Sequence, residues 1–282
     1  MNEISIKEFW EKNPCGDFQV GGLQNHHKDD YEAFFQNYDK FRFAEEAHIL
    51  KCLDRIPFSG KRVLEIGLGQ GADSEQIIRR GAKWSGLDIT PESVDRVRTR
   101  LLLRNLPHDE LQQGSVLQMP FDSGSFDIIF SHGVLHHVPD IISAQHEIRR
   151  VLRPDGELIM MLYAKWSLNY LFSISIVRRL GLLALYATGR NPGGIYGQHL
   201  ANARAHGLWN YLNMSNFIHR NTDGPLNPYA KVYDLAEVRR DFPDFHIVRA
   251  YKCFMHAPPL PVRWMPLARL FGWHLWVHLK PV

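Results

Sequence analysis

The stretch VLEIGLGQGAD, residues 63–73, is an apolar run that breaks abruptly into three glycines. This pattern predicts a buried strand, a tight turn and the start of a helix. Gly67, Gly69 and Gly71 follow the strand at alternate positions. Glycines at such a place let a ligand approach the backbone closely and permit positive φ. We therefore expect the turn to hold a ligand rather than to serve packing alone.

The chain around this turn alternates short apolar runs with helical patterns. KRVLEIG, KWSGLDI, FDIIF and ELIMMLY read as strands separated by amphipathic helices, which predicts an α/β, Rossmann-like, mostly parallel sheet. This alternation of strand and helix patterns stops after Tyr163, and strand patterns resume in DFHIVRAYKCFM and GWHLWVHLKPV. We predict a sheet domain from residues 61–163 and 242–282, a helical cap over 1–60, and a helical insertion over 164–241 that forms a substrate lid.

Composition narrows the class of protein. The 282 residues are 45% hydrophobic and 22% charged, as in a folded globular protein, and a net charge of +3 is too small to indicate nucleic-acid binding. Cys15, Cys52 and Cys253 stand far apart, which favours a reducing compartment over a disulfide framework. The mixed-charge start MNEISIKEFWEKN does not resemble a secretory signal, so we expect a cytoplasmic protein.

One segment raises the question of a membrane. LNYLFSISIVRRLGLLALYA, residues 168–187, is long enough to span a bilayer, but Arg178 and Arg179 lie at its middle. Charge there is unfavourable in hydrocarbon, so we expect no spanning helix. Packing within a lid is the favoured role, and contact with a membrane surface stays open.

Two cofactors fit the glycine turn equally well. Gly67, Gly69 and Ala72 match a dinucleotide fingerprint, whereas the three glycines match a loop for S-adenosylmethionine. Asp88, about twenty residues on, suits the adenosine ribose of either cofactor. Glu65 favours S-adenosylmethionine, because a carboxylate would repel the pyrophosphate of a dinucleotide but would attract the ammonium group of a methionine moiety.

The region after the second strand carries a family resemblance. QQGSVLQMPFDSGSFDIIFSHGVLHHVPD, followed by LRPDGELIMMLY, resembles the class I S-adenosylmethionine-dependent methyltransferases of the UbiE-like, or type 11, group. The resemblance is strong over about residues 30–163, and FWEKNPCG and the chain end are more weakly similar to a bacterial subgroup. It implies a seven-stranded sheet whose last strand is antiparallel, and S-adenosyl-L-methionine as cofactor.

The resemblance also implies binding roles. The family's methionine-and-ribose loop corresponds to Glu65, Gly67, Leu68 and Gly69. Its ribose acid and the residue stacked on adenine correspond to Asp88 and Ile89. Its adenine-edge pair corresponds to Ser115 and Val116, and its residue at the tip of the fourth strand corresponds to Ser131. The family often has an acid where Ser115 stands, and a hydroxyl forfeits on the order of 1 kcal/mol of charge-assisted bonding. From its position, Tyr38 is expected to close over the cofactor.

The chemistry of methyl transfer suggests a place for the catalytic groups. An in-line displacement needs an aligned nucleophile and, for an oxygen or carbon acceptor, a base, for which histidine is the usual choice near neutral pH. Among His132, His136 and His137 we favour His136, and Tyr163 can direct a hydroxyl into the same cleft. A purely packing role for His136 stays open. Only Asp140 accompanies these histidines, so we predict no metal.

These observations together predict a methyltransferase. The expected reaction is transfer of a methyl group from S-adenosyl-L-methionine to an oxygen atom of a small, partly apolar acceptor. Two alternatives stay open at this point. One is an NAD-dependent oxidoreductase that uses the same glycine loop, and the other is a protein that binds S-adenosylmethionine without methylating.

Overall fold

The computed structural model describes residues 3–21 and 30–282. Within them, seven strands form one sheet: β1 (Arg62–Ile66), β2 (Lys83–Asp88), β3 (Leu111–Gln113), β4 (Phe126–His132), β5 (Leu152–Tyr163), β6 (Phe245–Cys253) and β7 (His274–Pro281). The helices before β5 are α1 (Glu3–Lys12), α2 (Asp17–Val20), α3 (Tyr31–Glu45), α4 (His48–Leu53), α5 (Ala72–Arg79), α6 (Pro91–Leu103) and α7 (Ile141–Val151). After β5 a π-helical segment (Asn169–Arg178) runs into α8 (Arg179–Thr188), followed by α9 (Gly194–His206), α10 (Leu208–Leu212), α11 (Met214–Phe217), α12 (Leu235–Asp241) and α13 (Ala268–Phe271).

The sheet has the strand order β3-β2-β1-β4-β5-β7-β6. All neighbouring pairs are parallel except those of β7, which runs antiparallel to both β5 and β6. The predicted seven-stranded sheet with an antiparallel last strand is thus confirmed. The chain order reverses between β1 and β4, so the loops that follow these two strands diverge and open a crevice at the carboxyl edge.

The sheet is buried on both faces because successive residues of a strand point to opposite sides. In β1, Leu64 packs with Ile148 of α7 and Val238 of α12 on one face. Val63 packs on the other face with Val97 of α6 and residues of α4 and α5. Burial on both sides explains why β1, β4 and β5 read as continuous apolar runs rather than alternating ones.

Ion pairs fasten the N-terminal helices to the sheet domain. Arg100 on α6, which is fully buried, donates to Glu75 of α5 at 2.9 Å and also pairs with Asp39 of α3. Arg96, one turn earlier, pairs with Asp17 of α2 at 2.6 Å. These contacts place α2 and α3 beside the carboxyl edge of the sheet. Their role as a cofactor cap stays a prediction.

The residues between β5 and β6 form a helical layer with its own apolar core. Buried Ile174, Leu200, Tyr211 and Phe217 pack together there and against Trp273, which precedes β7. In the described part of the chain, one helix, Asn169–Thr188, is long and apolar enough to cross a membrane, and 17% of it is buried. The boundaries and the lid role of this insertion stay predictions.

Candidate active site

A cavity of about 350 Å³ lies at the carboxyl edge of the sheet. Its floor is formed by the ends of β1, β2 and β4 and by the turns that follow them, and Ile6 and Trp10 of α1 cover it. The volume falls in the range of small-ligand sites. The site thus lies where the strand order reverses, as the α/β architecture predicts.

The glycine turn forms part of the cavity wall. Gly67 has φ of +80° and donates its N–H to the Leu87 carbonyl at 2.8 Å, and an added Cβ would lie 2.2 Å from Val134. Gly69 also has positive φ, but a Cβ there would meet only Cys15, at 3.7 Å. Gly71 does not line the cavity and instead packs close to α6. Two of the three glycines therefore face the ligand space.

Asp88 is held rigidly at the end of β2. Its carboxylate accepts hydrogen bonds from the Leu68 N–H at 2.7 Å and from the N–H and hydroxyl of Thr90 at 2.8 Å each. Burial raises the pKa of Asp88 above its ordinary value, and these hydrogen bonds oppose the shift. The carboxylate borders the cavity with its orientation fixed, as a ribose-binding acid requires.

Glu65 is a buried acid on the cavity wall. It accepts a hydrogen bond from the indole N–H of Trp84 at 2.8 Å. Burial, with the nearby Asp73 carboxylate adding to it, raises the pKa of Glu65 to about 8. An acid of this kind is largely protonated near neutral pH and would release its proton to pair with a bound cation.

A charged cluster beside Glu65 was not anticipated from the sequence. Arg42 of α3 donates to the Asp73 carboxylate at 2.8 Å, and the ring nitrogen Nδ1 of His132 lies 2.5 Å from the same oxygen. Burial alone would raise the pKa of Asp73, but Arg42 and His132 lower it well below its ordinary value. All three side chains line the cavity. This end of the cavity therefore offers both a cation and carboxylates.

The predicted cofactor residues divide into two groups. Two serines are not part of the wall: Ser131 donates its hydroxyl to the Ile66 carbonyl at 3.1 Å, and Ser115 bonds Glu3 and the Leu117 N–H. The predicted cofactor residues that border the cavity are Tyr38, Glu65, Gly67, Leu68, Gly69, Asp88, Ile89 and Val116.

The three histidines at the end of β4 and in the turn after it take different positions. His132 and His137 border the cavity, whereas His136 is fully buried behind them. The His136 ring lies against Tyr163, with ring centroids 3.9 Å apart, and neither of its nitrogens has a hydrogen-bond partner among the described residues. Burial lowers the pKa of His136 well below its ordinary value, so the ring is neutral. Direct contact of His136 or Tyr163 with an acceptor stays a prediction.

Asp223, in the turn before Pro225, joins this group from the insertion. The Tyr163 hydroxyl donates to one of its oxygens at 2.7 Å, and the other oxygen lies 3.3 Å from Nε2 of His137. Burial alone would raise the pKa of Asp223, but His137 and these contacts hold it at about 2. No sequence motif marks Asp223, because its partners precede it by sixty residues or more.

Comparison with known proteins agrees with the geometry. Residues 64–160 match the family model described as a methyltransferase domain. The matched segment contains the glycine turn, Asp88 and the histidines after β4. Together with the sheet order and the cavity, this match agrees with the predicted resemblance to the class I S-adenosylmethionine-dependent methyltransferases.

The similar proteins share the domain rather than the whole chain. A phthiotriol/phenolphthiotriol dimycocerosates methyltransferase from Mycobacterium leprae is 33% identical over 37% of this chain and 38% of its own length. A ubiquinone biosynthesis O-methyltransferase from Erwinia tasmaniensis is 31% identical over 41% of this chain and 47% of its own. The chain thus spans less than half the length of either relative.

The fold is also similar to that of a solved methyltransferase. A S-adenosylmethionine-dependent methyltransferase from Aquifex aeolicus superposes with a TM-score of 0.53, covering 90% of this chain and 99% of its own, at 15% identity. At that identity the likeness concerns the fold alone. S-Adenosylmethionine is the cofactor of this class, and the wall residues fit it: an oriented acid at β2, glycines at the turn, and mixed charges at the β1 end.

Proposed function

We propose that this protein transfers the methyl group of S-adenosylmethionine to an oxygen atom of a small, partly apolar acceptor. The observation that carries the proposal is the division of one cavity into a cofactor end and an acceptor end. Rigid polar groups lie at the ends of β1 and β2, whereas Trp10 and His137, whose rings pack edge-on, border the cavity from α1 and from the turn after β4. The bound cofactor supplies an electrophilic methyl group, and the chain's own residues orient the reactants.

The cofactor end supports binding of each part of S-adenosylmethionine. Asp88 would accept from the ribose hydroxyls, and Ile89 and Val116 would pack against the adenine. Glu65 would pair with the ammonium group of the methionine moiety. Arg42 would meet its carboxylate, since this guanidinium is the cation of the charged cluster at that end. The opposite charges of one zwitterion thus match the opposite charges of the wall.

The acceptor end supports transfer to oxygen. Asp223 lies 3.3 Å from Nε2 of His137, so an acceptor hydroxyl brought to this pair would find proton acceptors in the imidazole nitrogen and the carboxylate oxygen. His136 and Tyr163 pack behind this pair and hold it in place. The Erwinia relative is named an O-methyltransferase, which agrees with an oxygen acceptor. Trp10, whose ring packs edge-on against His137 at 5.2 Å, favours an acceptor with an apolar part.

Calorimetry and a turnover assay test the proposal separately. We expect S-adenosylhomocysteine to bind with micromolar affinity and NADH to show no binding. A panel of phenols, aliphatic alcohols and amines with S-adenosylmethionine should give methylated product only from hydroxyl acceptors. Binding of NADH alone would contradict the cofactor assignment, and preferential methylation of amines would contradict the oxygen assignment.

A further inference from the structure

Three possible metal ligands meet behind the acceptor end of the cavity. One atom each from His136, His137 and Asp223 lies within 4.8 Å of the other two. The two histidines belong to a 3-10 turn after β4, and Asp223 reaches them from the insertion. Both histidines are buried, so the group is shielded from bulk water.

The orientation of His137 is that of a metal ligand. Its Nδ1 lies 2.7 Å from the Tyr229 carbonyl, which accepts a hydrogen bond and therefore fixes the proton on Nδ1. Its other nitrogen, Nε2, lies 3.3 Å from an Asp223 oxygen and has no hydrogen-bond partner among the described residues. This separation is that expected of two ligands of one metal ion. Ligands of a tetrahedral ion at about 2.1 Å lie about 3.4 Å apart.

His136 supplies a second, independent observation. Its ring is fully buried, and neither nitrogen has a hydrogen-bond partner among the described residues. A buried polar group without a partner is destabilising by about 1–3 kcal/mol, so its retention calls for an explanation. The Tyr163 hydroxyl also donates to Asp223, an outer contact that typically orients a ligating carboxylate.

We propose that His136, His137 and Asp223 bind a divalent transition-metal ion next to the methyl-transfer site. Two imidazoles and one carboxylate suit Zn²⁺ or Fe²⁺ rather than Mg²⁺ and leave a coordination position free. Because His137 borders the cavity, an acceptor oxygen can take that position. The ion would then act as a Lewis acid that lowers the pKa of the acceptor hydroxyl. This last step rests on the proposed function, whereas the metal site does not.

Titration with metal ions tests the site directly. After treatment with a chelator, we expect the full chain to bind one equivalent of Zn²⁺ with micromolar or better affinity and to show no binding of Mg²⁺. His137→Ala and Asp223→Asn should each weaken Zn²⁺ binding by at least about 100-fold. His146→Ala and Asp244→Asn, a surface pair 2.8 Å apart, are the matched controls and should bind normally.

Binding of S-adenosylhomocysteine, measured in parallel, separates this inference from the proposed function. Zn²⁺ affinity lost in Asp223→Asn with cofactor affinity and Tm retained supports the metal site whatever the reaction is. Absence of Zn²⁺ binding by the unaltered chain, or binding unchanged in both variants, overturns the site even if methyl transfer is observed.

A different part of the molecule carries a second inference. The Asn169–Thr188 helix exposes large apolar side chains to solvent, namely Leu171, Phe172, Ile176, Leu180 and Tyr186. The next helices add exposed Tyr196 and Trp209, the latter 76% exposed. An exposed apolar area of this extent usually marks an interaction surface.

Charge indicates what covers this surface. Residues 158–222 contain six Lys and Arg residues and no Asp or Glu, although the whole chain has a net charge of only +3. Arg178 is held inside by the carbonyls of Pro258 and Asn221, which keeps the helix packed on the protein rather than free to span a bilayer. Lys165 is paired with Asp234 and Glu237, but Arg190 and Arg204 are exposed. Apolar side chains, tryptophan and tyrosine, and exposed positive charge of this kind are the features of a surface that lies on anionic lipid.

We infer that the face formed by the Asn169–Thr188 helix, Tyr196 and Trp209 docks on an anionic bilayer surface. Flotation with vesicles of phosphatidylcholine, with and without phosphatidylserine, tests it. We expect binding only to the anionic vesicles, weakening as salt rises. Phe172→Ser with Ile176→Ser should reduce bound protein at least about tenfold.

The matched control replaces exposed leucines elsewhere. Leu102→Ser with Leu103→Ser, at the end of α6, removes similar exposed apolar area and should leave vesicle binding unchanged. Equal loss in both double variants, or binding that does not depend on lipid charge, overturns the inference. Self-association of the chain at the same concentrations, abolished by Phe172→Ser, would assign the face to a second copy instead.

Discussion

The two ends of the cavity differ in how the chain builds them. The cofactor end comes from one strand-helix-strand unit, in which Glu65, Gly67 and Asp88 lie close together in the sequence. The acceptor end joins His137 to Asp223 across a fold that inserts a strand and several helices between them. Site residues that are close in the sequence can be recognised as a motif, whereas site residues that meet only through the fold cannot. The cofactor end should therefore tolerate fewer changes than the acceptor end.

Gly67→Ala should produce the largest effect. A methyl group at this position would lie 2.2 Å from Val134 on a backbone of positive φ, so the turn and the loop after β4 must separate. We expect affinity for S-adenosylhomocysteine to fall by about 100-fold or more, since each 1.4 kcal/mol corresponds to a factor of ten. Isothermal titration calorimetry measures this change.

Gly60→Ala isolates the steric part of that effect. Gly60 also has positive φ, +73°, but no heavy atom lies within 4 Å of an added Cβ. It should lower stability by about 1–2 kcal/mol through backbone strain and leave cofactor affinity unchanged. Equal losses of affinity in the two variants would show that strain, and not the clash with Val134, governs the turn.

His137→Ala and His136→Ala probe the acceptor end. Each should reduce kcat by about 100-fold with cofactor affinity kept within about twofold, because in the proposed function His137 meets the acceptor and His136 positions His137. Steady-state kinetics together with calorimetry separate the two quantities, and His146→Ala is the control. Normal kcat in His136→Ala would return this buried ring to a packing role.

The fold was predictable because its signals are local. Apolar runs of strand length and the glycine turn each depend on a few consecutive residues. At the cofactor end, a motif with fixed spacing placed Glu65, Gly67 and Asp88 together.

The remaining site residues depend on distant packing. Nothing near Asp223 in the sequence indicates that the insertion returns it to His137 and Tyr163. The pleat of β4 directs the Ser131 side chain toward the Ile66 carbonyl, and the sequence alone does not indicate this direction. The expectation of no metal considered Asp140 as the only acid near the histidines. Asp223 was not considered, because it approaches them only through the fold.

Glu65→Gln tests the smallest effect, the dependence of stability on pH at the cofactor end. Burial raises the pKa of Glu65 from 4.5 to about 8, so between these values the folded chain holds a proton that the unfolded chain has lost. The free energy of unfolding must then fall as pH rises through this interval, by about 1–3 kcal/mol in all. Glutamine, which imitates the protonated acid, should remove that part of the slope in urea unfolding at pH 5.5, 7 and 8.5. A slope that persists unchanged would place its origin in other groups, and a slope that S-adenosylhomocysteine reduces would tie the proton of Glu65 to the bound ammonium group.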